Sequence, residues 1–285
     1  MDNNGEYIEL DGITTDLLVE KIKEKTMKKT FKIDITESNF VSVVDSKFGG
    51  LPYWDESMEY PTDSNGNALI LLAQINFEAT PINDERFPKK GILQFFIGTD
   101  DLMGADLDNL TNKNGFRVIY HESVNKYLTS EDVRAMGIRS NLDLDGAGEE
   151  YFPFYKQYSI AIYEALEPIS YADHEFEDIL RETAEKILDT EIDDVWSIFE
   201  DDGDYVNDQF YICGNKVLGY PFFTQEDPRD EDDMYKGKKY DTLLLQIDSE
   251  GDILWGDSGV GNFFINEQDL INKDFSNVLY TWDCY

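Results

Sequence analysis

The sequence is poor in the residues that build metal centres, disulfide frameworks and nucleophilic triads. It has only two cysteines and two histidines in 285 residues. Cys213 and Cys284 are too few for a disulfide scaffold of a chain this size and have no C-x-x-C spacing. Neither His121 nor His174 has metal-ligand spacing with them, which disfavours zinc, haem and iron–sulfur sites. We therefore expect reduced thiols, no metal and no cofactor.

Basic residues are also scarce: 24 Lys and Arg face 60 Asp and Glu, a net charge of -36. This charge repels phosphates, so we expect no nucleic acid and no anionic membrane surface as a partner. No apolar run is long enough to span a bilayer, and residues 1–6 have no features of a secretory signal. We expect a cytoplasmic protein. The acid excess leaves a basic protein, a metal ion or a neutral small molecule open as a partner, and solubility alone is the favoured interpretation of it.

Two short motifs match functional patterns in part. Gly256 to Gly259 reproduces the tetrapeptide around the nucleophile of trypsin-like proteases, but that activity also needs a histidine base and an aspartate. A tight turn is the favoured interpretation. Asn141, Asp143 and Asp145 match the start of a calcium loop, whereas its twelfth position is Phe152 instead of an acid. Weak calcium binding near Asp143 and Asp145 stays open. No dinucleotide-binding or P-loop motif occurs.

The fold class follows from composition and pattern. With 41% hydrophobic and 14% aromatic residues, the chain can bury a large core. Most of it consists of short runs rich in Ile, Val, Phe and Tyr, broken by Gly, Pro, Asn and Asp, which predicts strands. Helical periodicity is limited to residues 14–29, 130–136 and 173–189. We predict an α+β, β-rich fold with peripheral helices.

An internal repeat is the most informative feature. Four blocks occur twice in the same order: Gly-x-Pro, Leu-Leu-x-Gln-Ile, a Gly-led Phe-Phe-Ile block and Val-x-Tyr. Together they predict internally duplicated β-sheet units that form one compact structure. The predicted parts are an N-terminal helical/strand appendage at 1–39 and a main domain at 40–285. The main domain comprises a first half at about 40–165, a connecting helix at about 173–189 and a second half at about 205–285.

These blocks also carry a resemblance. The segments that resemble the YwqG-like family of bacterial proteins, over about residues 40–285, are 48–54, 60–61, 71–76, 91–96, 218–221, 225–229, 244–248, 255–257 and 282–285. That family is catalogued as a domain of unknown function, so the resemblance implies fold and location more than chemistry. Association of some relatives with toxin and immunity genes implies an inhibitor role. Family members place a histidine where this chain has Asn215, so any activity of that histidine should be absent.

The candidate ligand-binding residues are duplicated or belong to the resembling blocks. Gln74 and Gln246 lie within apolar runs, where a buried amide must find hydrogen-bond partners. They either form an internal network, the favoured interpretation, or face a ligand in a groove between the halves. The full candidate set is Trp54, Gln74, Gln225, Gln246, Trp255 and Asp257.

Two functional hypotheses follow. The first is a non-catalytic binding or interaction module whose acidic surface binds a cationic protein, as an immunity protein would. The second is an enzyme acting on a small or carbohydrate-like ligand in the groove between the halves.

Overall fold

One antiparallel sheet of ten strands organises the molecule. The computed structural model describes residues 10–145, 150–199, 203–231 and 240–285. In chain order, β1 to β10 are Lys28–Glu37, Lys47–Phe48, Ile70–Asn76, Ile92–Ile97, Phe116–His121, Tyr158–Glu167, Lys216–Leu218, Thr242–Asp248, Val260–Ile265 and Val278–Asp283. Their order in the sheet is β10-β9-β8-β7-β1-β6-β2-β3-β4-β5.

The helices lie outside this sheet. Helices α1 to α6 are Gly12–Thr26, Ser130–Ala135, Phe176–Leu188, Gly203–Gln209, Pro228–Glu231 and Glu267–Asn272. Helices α1, α3 and α4 bury Leu18, Leu180 and Val206 in a core of their own. The predicted α+β, β-rich fold class with peripheral helices is confirmed. Within the described residues, no helix has the length and apolar character needed to cross a membrane.

The two halves contain the same arrangement of strands. Strands β2 to β5 pair in sequence, and β7 to β10 pair in the same way. A register shift occurs between Leu71 and Ala73 in β3, and another occurs between Leu243 and Leu245 in β8. The two Leu-Leu-x-Gln-Ile segments thus lie in matching environments. That the repeat arose by duplication stays a prediction.

Each repeated glutamine holds the segment that follows Gly-x-Pro. Gln74 Oε1 accepts a hydrogen bond from the backbone N–H of Tyr53 at 2.9 Å, and Gln246 Oε1 accepts one from Phe222 at 2.7 Å. Both Nε2 groups donate to backbone carbonyl groups of the preceding loops. Neither glutamine is exposed. The two amides therefore satisfy buried backbone groups that would otherwise have no partner.

A buried lysine pairs with each of these glutamines. Lys47 lies opposite Gln74 and Lys216 lies opposite Gln246. Lys47 Nζ donates to the carbonyl oxygen atoms of two loop residues, and burial lowers the pKa of Lys47 to about 7. Lys216 Nζ is 3.5 Å from Glu167 Oε2. Lys216 Nζ also donates to the Ile212 carbonyl at 3.0 Å, so each ammonium group holds a carbonyl of the loop that precedes its own strand.

The halves face each other across the main core. The Phe95 ring lies 5.0 Å from that of Phe263, and the Phe116 ring lies 5.3 Å from that of Tyr280. Because Phe116 and Tyr280 belong to β5 and β10, the sheet curls until its two edge strands approach each other. The side chains on the opposite face of each half are left to pack against loops and helices.

Strand β1 lies at the centre of the sheet. It pairs along its whole length with β6 and over three residues with β7. Phe31 and Ile33 of β1 belong to the main core. The strand of the predicted 1–39 appendage therefore joins the two halves, while α1 packs against α3 and α4. The boundary at residue 40 stays a prediction.

The β4–β5 loop, residues 98–115, crosses to the second half. Tyr280 donates its backbone N–H to the Leu110 carbonyl at 2.9 Å and its hydroxyl to the Met103 carbonyl at 3.0 Å. At the base of the loop, a Cβ on Gly104 (φ +80°) would stand 2.0 Å from the Gly115 carbonyl oxygen. Only glycine therefore permits this closure. The closed loop covers part of the outer face of the second half.

We expect Gln74→Leu and Gln246→Leu each to lower the free energy of unfolding by about 2–4 kcal/mol, because each leaves buried backbone groups without partners. Urea unfolding measures this loss. The exposed Gln268 on α6 supplies the control, since Gln268→Leu should change stability by no more than about 0.5 kcal/mol. Equal effects at all three positions would contradict the role given to the two amides.

Candidate functional site

A cavity of about 1060 Å³ opens between the β4–β5 loop and the end of β10. The loop contributes Leu102, Leu107 and Leu110 to its wall. The second half contributes residues 223 and 225–228 and residues 281–284. The cavity therefore lies at a junction between the two halves, where the crossing of the loop creates it.

The wall combines apolar surface with hydrogen-bond acceptors. Phe223 and the loop leucines form the apolar part, whereas Glu226, Asp227 and Asp283 supply carboxylates. Among the described lining residues there is no lysine, arginine or histidine. A ligand that brings positive charge or hydrogen-bond donors matches such a wall, and an anion does not.

Asp283 is the most unusual carboxyl group of the cavity. Its Oδ2 accepts hydrogen bonds from the backbone N–H groups of Thr224 and Gln225 at 2.9 and 2.8 Å. Its Oδ1 is shielded from solvent and has no hydrogen-bond partner within the described part of the chain. Burial raises the pKa of Asp283, although the backbone N–H groups oppose this change. The group thus retains an unused acceptor at the cavity wall.

Gln225 anchors the facing segment to the end of β10. Its Nε2 donates to the carbonyl oxygen of Cys284 at 2.6 Å, next to the backbone contact with Asp283. Side chain and backbone together fix residues 223–228 in place. This anchoring positions Phe223 and Glu226 at the cavity.

Arg229 joins two aspartates behind the cavity. Its Nη2 lies 3.0 Å from Asp173 Oδ2, and its Nε lies 2.9 Å from Asp227 Oδ1. One ligand atom each from Asp173, His174 and Asp227 lies within 4.8 Å of the others, close enough to share a metal ion. The guanidinium group already provides both carboxylates with a cation, so we assign no metal here.

In the first half, a histidine occupies the position that corresponds to Asp283. His121 Nε2 lies 2.8 Å from Gln94 Oε1, and it donates the hydrogen bond because that oxygen can only accept. The rings of Tyr53 and Trp54 pack edge-on against the imidazole, 5.0 and 5.3 Å away. Burial lowers the pKa of His121 to about 4. Gln94 and His121 are both buried.

A family model described as Domain of unknown function (DUF1963) matches residues 46–284, most of the 285-residue chain. The chain belongs to this family. No curated protein matches it. DUF1963 is defined without an activity, so any functional inference must come from the geometry of the site.

Of the six predicted site residues, Gln225 is the one that lines the cavity. Gln74 and Gln246 are fully buried in the networks described above. Trp54 packs on the outer face of the first half and donates its Nε1–H to the Met58 carbonyl. Trp255 lies in the main core, and Asp257 is exposed. The structure does not bring these six residues together.

The residues of the two partial motifs make hydrogen bonds that stabilise the fold. The Gly259 N–H donates to the Trp255 carbonyl at 2.7 Å, which closes the turn predicted for the protease-like tetrapeptide. In the calcium-like segment, Asn141 Nδ2 donates to the Lys156 carbonyl and its Oδ1 accepts from the Gly50 N–H. Asp143 accepts hydrogen bonds from the backbone and hydroxyl of the preceding serine. Residue 146 of this segment lies outside the described residues.

Sequence reasoning missed Asp283, Glu226 and the loop leucines. Asp283 belongs to the closing block of the family resemblance, and that was its only signal. The leucines belong to a loop whose crossing to the second half has no local signature. Packing between distant segments created this site.

We expect His121 to make stability depend on pH. The unfolded histidine titrates near pH 6.5, whereas the folded one titrates at about 4. The unfolded state therefore binds more protons in this window, and stability falls as the pH drops through it, by about 3 kcal/mol in total. Urea unfolding at pH 7 and pH 4.5 measures this loss.

His121→Gln keeps a hydrogen-bond donor but cannot titrate, so this variant should lose less stability than the wild type between the two pH values. His174→Gln, at an exposed histidine, is the matched control. Identical pH dependence in the wild type and His121→Gln would show that His121 does not contribute.

Proposed function

We propose that this protein is a non-catalytic binding module that holds a basic protein partner, with a cationic side chain of the partner in the cavity. The observation that carries the proposal is the cavity wall, which combines leucine and phenylalanine with the carboxylates of Glu226 and Asp283 and has no basic residue among its described members. Lysine and arginine side chains have the complementary form, with an apolar stem and a charged end.

The charge of the whole chain supports this function. A net charge of -36 attracts a cationic partner over a distance and speeds its association, and salt weakens this attraction. An inhibitor of a basic toxin would have this design, which agrees with the immunity association that the YwqG-like resemblance implies. We include membership of that family and a cytoplasmic location in the proposal.

We expect octalysine to bind in a salt-dependent manner, with an affinity at least ten times weaker at 300 mM than at 50 mM NaCl in calorimetric titrations. Glu226→Gln should weaken binding several-fold. Glu131→Gln removes the same charge from an exposed position on α2, outside the cavity, and should have little effect. Binding that ignores salt, or equal effects of the two substitutions, would contradict the proposal.

An enzyme acting on a small or carbohydrate-like ligand in the same cavity is the second candidate. Asp283 favours it, because burial raises the pKa of this carboxyl group and general acids in active sites share that property. Glu226 would be the second carboxylate at the cavity.

This second function predicts that a set of p-nitrophenyl glycosides includes one that the protein hydrolyses, with release of nitrophenol detected by absorbance. Asp283→Asn should abolish hydrolysis, since the amide cannot donate a proton as a carboxylic acid does. Full activity in Asp283→Asn, or absence of hydrolysis across the set, would count against a glycoside-cleaving enzyme and favour the binding module.

A further inference from the structure

The two halves differ at one pair of matching positions. The strand registers place His121 and Asp283 at equivalent sites, and they also match Gln94 with Asn262. Gln94 and His121 are diagonal neighbours on adjacent strands, and so are Asn262 and Asp283. Long side chains can span this distance. In the first half, Gln94 and His121 do so and form a hydrogen bond of 2.8 Å.

In the second half, the side-chain amide of Asn262 has the same orientation as that of Gln94, but its oxygen atom has no donor among the described residues. Asn262 Nδ2 donates to the Phe222 carbonyl at 2.9 Å, as Gln94 Nε2 donates to the Tyr53 carbonyl at 2.8 Å. Asn262 is fully buried, and its Oδ1 has no hydrogen-bond partner in the described part of the chain. Asparagine is one methylene shorter than glutamine, and aspartate is smaller than histidine. These substitutions remove both the reach and the donor that complete the first half.

The Asn262–Asp283 pair lies at the edge of the cavity, which Asp283 lines and Asn262 does not. Asn262 lies opposite Thr281 across the strand pair, and residues 281 and 283 point to the same face of β10 because side chains alternate along a strand. Thr281 and Asp283 both line the cavity. Asp283 Oδ1 is also buried and has no hydrogen-bond partner in the described part of the chain. Unsatisfied buried polar atoms are costly, and two of them on diagonal neighbours indicate a group that is bound there in function.

We infer that this pair binds a primary ammonium group, of the kind that ends a lysine side chain. An ammonium group has three N–H donors and no acceptor, and two of these donors match the oxygen atoms of Asn262 and Asp283. The aliphatic stem would lie against Phe223 and Leu110 of the wall. This inference rests on the proposed function and names the chemical group that the cavity selects.

The probe for this site is N-acetyl-lysine methylamide, and its neutral control is N-acetyl-norleucine methylamide. We expect NMR titrations at pH 7 to show binding of the lysine compound alone. Asn262→Leu removes one acceptor at similar volume and should weaken binding at least tenfold. Asn262→Gln combined with Asp283→His rebuilds the filled arrangement of the first half and should abolish binding.

Thermal unfolding shows whether each variant folds. The rebuilt double variant should remain folded, because the buried amide oxygen gains a donor, which offsets part of the loss of the acceptor for the N–H groups of Thr224 and Gln225. If the double variant does not fold, Asp283→Asn serves instead, since its amide oxygen can still accept the two backbone N–H groups; it should weaken binding at least tenfold.

Three results would overturn the inference: equal binding of the norleucine compound, wild-type affinity in the folded variants, or absence of lysine binding. If the lysine compound does not bind but octalysine still binds in a salt-dependent manner that needs Glu226, the ammonium site is wrong and the proposed function stands. Failure of both probes would overturn both.

Discussion

The buried backbone N–H that follows each Gly-x-Pro motif must find an acceptor, and this requirement governs the rest of the structure. Gln74 and Gln246 meet it from the middle of β3 and β8. A hydrophobic residue at either position would leave the segment without an anchor. These amides therefore fix where the chain runs after each proline, and in the second half this path leads directly into the wall of the cavity.

Much of the architecture could be predicted from local pattern. Runs rich in Ile, Val, Phe and Tyr form strands such as Phe116–His121 and Thr242–Asp248, and the helix expected at 173–189 is Phe176–Leu188. Such elements depend on periodicity that a short window contains. The central position of β1 could not be predicted in this way, because its partners in β6 and β7 lie more than 120 residues away.

Less of the candidate site than of the fold could be predicted from local pattern. Gln225 was identified because it belongs to a distinctive block, whereas Asp283, although it also belongs to one, is a single member of a set of 60 acidic residues. The cavity that it lines also needs residues 98–115, which cross from the other half. The importance of Gln74 and Gln246 could be predicted from the sequence. Whether their side chains face an internal network or a ligand could not, because an amide in an apolar run fits both equally well.

Because β1 lies at the centre of the sheet, the residues that the family model matches differ from the residues that are needed to form one folded unit. The DUF1963 match begins at residue 46, after β1 has ended. A polypeptide cut at that boundary would keep every matched residue and yet leave the edges of β6 and β7 without a neighbour, a state that promotes pairing between chains. Since β1 must wait for partners made much later, the sheet cannot close during synthesis until the second half has been translated. The segment that the family definition leaves out is the one that joins the halves.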